Sequence, residues 1–156
     1  MPQFRRSQLL SLLSEACELE HALACSYLFA AFSLKQGPED GLDWQQQQLT
    51  RRWAAQVYFV ASQEMLHLAQ AWNLLAAIGG TPYDDHERFP HPKSYYPIHA
   101  RLSLERYDEA TLGRFIVWET PRQRAERTAD ARFSTIGELY DQIREGSVAG
   151  GVDAGD

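Results

Sequence analysis

Glu64-Met65-Leu66-His67 sets a carboxylate and an imidazole three residues apart, a spacing that puts both on neighbouring positions of one helix surface. Two such groups can share one metal ion or hold adjacent ones. Glu20, on an earlier stretch of helical pattern, interrupts an otherwise apolar seam of Leu9, Leu13, Ala16, Leu23, Tyr27, Ala30 and Leu34. Glu64 does the same in the seam Val57, Ala61, Leu68, Ala71, Leu75 and Ile78. A third acid comes from a face made of Glu109, Leu112, Ile116 and Glu119, with Phe115 beside it. An unpartnered carboxylate in a dry interior costs several kcal/mol and takes up a proton instead. Since the seams carry no Lys or Arg, a divalent or trivalent cation is the compensating partner that this pattern predicts.

Four helices are needed to bring these groups together. The first is predicted over residues 7 to about 35, with Ser7 as N-cap and Gly37-Pro38 as its stop, and the second over 44 to about 78, stopped by Gly79-Gly80 and Pro82. The short acidic connection 39–43 makes the two antiparallel. Residues 81 to about 107 lose helical periodicity and collect Pro82, Pro90, Pro92 and Pro97 with Tyr83, Phe89, Tyr95 and Tyr96, which reads as a long, packed crossover. A third helix is expected over 108–119 and a fourth over 135 to about 144, with a charged stretch, 122–132, between them. The domain is predicted to span 1–146, followed by a tail, 147–156, too polar and glycine-rich to bury itself. The fold class predicted is all-α, an antiparallel helical bundle with a long crossover between its second and third helices.

Other polar groups receive plainer readings. Glu18 and His21 repeat the Glu-x-x-His spacing, but Glu18 lies about 200° around the helix from Glu20 and His21 about 100°. His21 is therefore only a flanking candidate, and Glu15 and Glu18 belong to a solvated face. The crossover histidines His86, His91 and His99 read as surface loop. In the last helix Glu138, Asp141 and Glu145 fall to one side of an apolar face of Ile136, Leu139, Tyr140 and Ile143. Cys17 and Cys25 stand about 12 Å apart by helical rise, too far to bridge, and read as small buried hydrophobes.

With 156 residues, 44% hydrophobic and 23% charged, the chain is long enough for one domain with a core. Its net charge of -6 and its fifteen scattered Lys and Arg argue against nucleic acid or an anionic membrane as partner. No apolar run reaches the length of a membrane span and the Met1-Pro2-Gln3 start shows no signal-peptide pattern, so a cytoplasmic location is expected. Zinc-type cysteine spacing, glycine-rich phosphate loops and nucleophile motifs are absent from the sequence.

The run Glu20 to Ala30, with Tyr27 two turns after the acid, resembles the first helix of bacterioferritin-like proteins, and Glu64 to Pro82 resembles their second helix and its stop. A closer similarity is to the ferritin-like domain of the iminophenyl-pyruvate dimer synthase family, named for enzymes of violacein and rebeccamycin biosynthesis. It is carried by residues 18–35, 60–83, Tyr95-Tyr96-Pro97, 112–121 and Ile136-Gly137-Glu138-Leu139-Tyr140. The resemblance implies a ferritin-like fold and a carboxylate-bridged di-iron site, with iron the expected cofactor and another divalent metal its rival. It also implies oxidative coupling of imines from an aromatic amino acid in bacterial secondary metabolism. Carried over, the ligands are Glu20, Glu64, His67 and Glu119, with Glu109 as alternative to Glu119; Tyr27 and the crossover aromatics would wall the substrate pocket, Tyr27 in a catalytic position.

A complete site of this type takes a second Glu-x-x-His, which this sequence lacks. Three explanations stay open: a shortened domain with one incomplete metal position, a second copy that completes the bundle in a homodimer or larger homo-oligomer, or loss of the iron chemistry. The leading expectation is an iron-dependent oxidoreductase acting on a small aromatic or imine substrate. Its alternatives are an iron-storage protein, which needs a large shell, and a metal-free helical interaction module whose acids set pairing register.

Overall fold

Leu and Ala dominate the first helix, and they fill it on nearly every side rather than along one stripe, which is the pattern of a helix surrounded by protein. The computed structural model, which describes residues 6–82, 89–91, 101–119 and 136–149, builds from this a central α1, Arg6–Phe32. Leu12, Leu19 and Ala22 are buried as well as Leu13, Ala16, Glu20, Leu23 and Tyr27 on the predicted seam. Helix α1 is already helical at Arg6, so Ser7 lies inside it and is not its cap.

After a single 3₁₀ turn, Pro38–Asp40, helix α2 runs over Trp44–Ala77. Asp43 caps it: its side chain accepts from Gln46 N at 2.8 Å, while Gln46 Oε1 accepts from Asp43 N at 2.9 Å. Helix α2 buries one stripe, Val57, Ala61, Glu64, Leu68, Ala71 and Leu75, against α1. The two are antiparallel, since Arg6 at the start of α1 donates through Nε and Nη2 to Ile78 O, at 2.9 and 2.7 Å, just past the end of α2. That guanidinium satisfies a carbonyl the helix leaves open and sits at its negative pole. Gly79, at φ 74°, makes the turn beneath it. Gly79→Ala is expected to cost about 1 kcal/mol from backbone strain alone. A Cβ there would also stand 2.6 Å from Arg6 Nη2, so the loss measured by urea unfolding should exceed that of Gly41→Ala, where the same strain meets open space.

Helix α3, Glu109–Trp118, is capped by Asp108, whose side chain accepts from Thr111 N at 2.7 Å. The face it turns inward differs from the predicted one. Thr111, Phe115 and Trp118 are buried, while Leu112 and Ile116 are 40% and 62% exposed. Aromatic area decides the rotation: Phe115 and Trp118 pack on Tyr27 with ring centroids at 4.4 and 5.8 Å, burying more apolar surface than Leu112 and Ile116 could.

Helix α4, Ile136–Ala149, packs on α1 through Leu139 and Ile143. It continues through Gly146 into the stretch assigned to the tail, with Ser147 Oγ donating to Ile143 O at 2.8 Å; one glycine in a helix costs only about 1 kcal/mol. Glu138, expected to one side of the apolar face, is buried beside Leu139. His91, expected on the surface, is buried too: its N–H donates to Leu102 O at 3.0 Å and its ring meets Phe89 edge-on. Tyr83, His86, Tyr95, Tyr96 and His99, the stretch 122–132 and residues 150–156 lie outside the described residues. The described residues form helices and no strands, the all-α bundle expected, and no described helix is long and apolar enough to cross a membrane.

Candidate metal centre

Antiparallel packing of α1 on α2 brings Glu20 opposite Glu64, and His67 follows one turn after Glu64. One ligand atom from each of the three lies within 4.8 Å of the others, and both acids are buried. His67 is half exposed, but its Nδ1 faces inward, 3.2 Å from Glu64 Oε2 and 3.5 Å from Glu20 Oε2. Helix α4 adds a group the sequence reading did not assign to the site. Tyr140 donates its hydroxyl to Glu20 Oε1 at 2.6 Å.

Glu20 Oε2 accepts no hydrogen bond although it is buried. An ionised oxygen without a donor is expensive in a protein interior, and a cation is the partner that removes the cost. Without a metal, protons on the neighbouring groups supply that compensation. Burial alone would raise the Glu20 carboxyl, but His67, Glu64 and Tyr140 around its oxygens outweigh burial and hold it below the usual range. Burial, reinforced by the Glu20 charge, pushes Glu64 up to about 8. Glu20 is also the main reason that His67 rises to about 9, against the opposing effect of burial. At neutral pH the metal-free cluster therefore holds one carboxylate, one carboxylic acid and one imidazolium. Two protons fill the space where a divalent cation would put its charge. Two oxygen donors and one imidazole nitrogen suit iron, manganese or zinc.

Glu119 caps the C-terminus of α3 and stands outside this three-residue cluster. It is joined to it through Tyr27, whose hydroxyl donates to Glu119 Oε1 at 2.6 Å and also lies in the field of Glu64 and Glu20. Burial and then Glu119 raise the Tyr27 phenol far above its ordinary value, so it acts as a donor that holds its proton. Tyr140 is held protonated in the same way, by burial and Glu20. Glu109 is exposed in the first turn of α3, at the opposite end from Glu119. His21 and Glu18 are half-buried and do not join the cluster. Cys17 is buried, with its thiol pushed up to about 11 mainly by burial, and Cys25 is half-buried; neither is bridged.

A cavity of about 400 Å³ opens beside the cluster. Tyr27 from α1 and Val57 and Val60 from α2 form its inner wall, with Val60 about one turn before Glu64. Leu112, Phe115, Ile116 and Glu119 of α3 face it, which accounts for the face of α3 that the core leaves uncovered. Tyr107, at the end of the crossover, and Trp53 close the remaining side, stacked with centroids 6.3 Å apart. Trp53 and Gln56 were not anticipated because they sit beside the α2 seam, where exposure was the natural reading. Tyr140 had a usable signal: an aromatic with a polar tip at the edge of an apolar stripe seeks a buried acceptor.

A helical bundle with inward-facing Glu and Glu-x-x-His groups is the arrangement of the ferritin-like class of protein, present here with one of its two Glu-x-x-His pairs. The family model described as Ferritin-like matches residues 13–149, and the chain belongs to that family. No curated protein and no solved structure matches it.

Proposed function

We propose that this ferritin-like protein is a non-haem iron oxidoreductase that acts on a small aromatic metabolite, of the kind the iminophenyl-pyruvate dimer synthase resemblance implies. The observation that carries the reading is the buried Glu20 Oε2 without a donor, flanked by Glu64 and His67. Glu20, Glu64 and His67 would hold the metal, with Glu119 as a further donor positioned by Tyr27. Iron bound there supplies the activation of dioxygen. The chain's own contribution is to orient Glu20 through Tyr140, to keep both tyrosine protons in place, and to offer an organic molecule an apolar cavity next to the ligands. That cavity favours chemistry on a substrate over storage of iron.

Anaerobic titration of the metal-free protein with Fe(II) is expected to saturate at a fixed ratio, followed by equilibrium dialysis and metal analysis. One ion per chain corresponds to the Glu20, Glu64 and His67 set; two require Glu119 and further donors, from this chain or a second copy. Protein that takes up no iron under any condition removes the reading.

A further inference from the structure

The two oxygens of Glu20 meet different surroundings. Helix α4 brings Tyr140, 120 positions away in the chain, to 2.6 Å from Oε1, where its hydroxyl donates. That hydroxyl has little freedom to leave. Leu139 and Ile143, both buried, seat α4 on α1, and the tyrosine ring meets the His67 ring edge-on with centroids 6.5 Å apart. Glu20 has no exposed surface, so water cannot replace the hydroxyl at Oε1. Oε2 receives no hydroxyl and lies 3.5 Å from His67 Nδ1. The same device recurs at the other acid outside the Glu-x-x-His pair, where Tyr27 donates to Glu119 Oε1 at 2.6 Å.

The geometry points to Tyr140 as a positioning residue that makes Glu20 a one-oxygen ligand and so discriminates against ions that need many oxygens. The inference rests on Glu20, Glu64 and His67 being the metal donors, and it involves no redox step. A carboxylate that chelates an ion commits both of its oxygens. Here Oε1 is already engaged by a short bond from a donor fixed by its own packing, and chelation would weaken that bond in a place closed to water. Oε2 has no such bond to give up. One oxygen from Glu20 beside one nitrogen from His67 suits the four-coordinate shell of zinc, whereas manganese and calcium gather six or more oxygens. Iron stands between manganese and zinc in the affinity order.

Titration of the full metal-free chain with Zn(II) and with Mn(II), each in competition with a chelating dye, reads the effect. Tyr140→Phe keeps the ring and frees Oε1. It is expected to weaken Zn(II) binding by about tenfold, the lower end of what losing an outer hydrogen-bond partner costs. Mn(II) should stay within about threefold, because the freed oxygen joins its larger shell. Ile143→Val loosens the same helix with the hydroxyl intact and should leave the ratio of the two affinities unchanged, which separates positioning from mere support. Infrared difference spectra on Zn(II) addition, with the glutamate carboxyls isotopically labelled, give the binding mode. One-oxygen ligation spreads the two carboxylate stretches apart and two-oxygen ligation draws them together. The parent should show a widely split glutamate pair that narrows in Tyr140→Phe and persists in Ile143→Val. Narrow pairs alone in the parent, or an affinity ratio that Tyr140→Phe leaves where Ile143→Val does, overturn the inference while the metal centre stands. A parent that binds neither ion overturns both.

Discussion

Glu64→Leu and His67→Ala should each lower the affinity for Fe(II) by on the order of 100-fold or more, while costing the metal-free protein only a few kcal/mol of stability. Each removes one of the three donors, so the shared effect on metal follows from geometry. The effects on stability follow from what each leaves behind. Without metal, Glu64 is a buried carboxylic acid that donates to the Glu20 carboxylate. Leucine fits among Ala61, Leu68 and Ala71 on the same stripe and keeps the Glu20 and His67 attraction, but takes that donor away. A loss of about 1–3 kcal/mol is the usual outcome when a buried acceptor loses its partner. His67→Ala strips Glu20 of its cationic neighbour and Glu64 of its donor. A loss of about 1–2 kcal/mol is expected, kept small because the imidazole is half exposed. Urea unfolding of both variants after chelation gives the stabilities, and competition against a chromogenic chelator gives the affinities. Fe(II) binding that matches the parent in both would show that the ion sits elsewhere.

The pH dependence of the metal-free protein should run opposite to that of an ordinary acidic protein above pH 5. Glu64 rises in the folded state from 4.5 to about 8 and His67 from 6.5 to about 9, so both groups bind protons more tightly folded than unfolded. Their contribution is fully present below the unfolded values and is lost as pH climbs through the folded ones. Stability should therefore decline between about pH 5 and 9, with Glu64 the larger contributor of the two. Glu20 has the reverse sign: its depressed folded value adds stability above the unfolded value of 4.5 that disappears on acidification below it. Metal displaces both protons, so affinity should strengthen as the pH rises through the same window, and uptake near neutrality should release about two protons. Titration calorimetry in buffers of different ionisation enthalpy measures that release. A metal-free stability that climbs steadily from pH 5 to 9 would mean that the cluster does not hold these protons.

The heart of the site was legible because acids stand out in an apolar repeat. Glu20 and Glu64 each break a 4,3 seam, and every other member from Leu9 to Ala30 and from Val57 to Leu75 is buried as the repeat requires. The end of α2 was equally readable at Gly79-Gly80, whereas α1 stops at Phe32, short of the expected residue 35 and its Gly37-Pro38 signal. What escaped depends on packing between distant segments. The choice between two faces of α3 turns on Phe115 and Trp118 meeting Tyr27, about ninety residues away, and the intrinsic pattern of α3 is nearly balanced between the two. Glu138 and His91 were misjudged for the same reason, since residue type alone argued for solvent. Tyr140 could be placed on an apolar stripe, but its pairing with Glu20 spans 120 positions and only the fold brings them together.

Ala16 precedes Glu20 by one turn and Ala61 precedes Glu64 by less than one, and neither leaves any surface uncovered. Such minimal side chains set how closely two rods lie, and hence the gap that an ion must bridge between them. Enlarging either by even two carbons would prise the acids apart without touching a single donor atom. Selectivity for a metal held by these acids would thus be adjustable from positions that carry no coordinating chemistry at all.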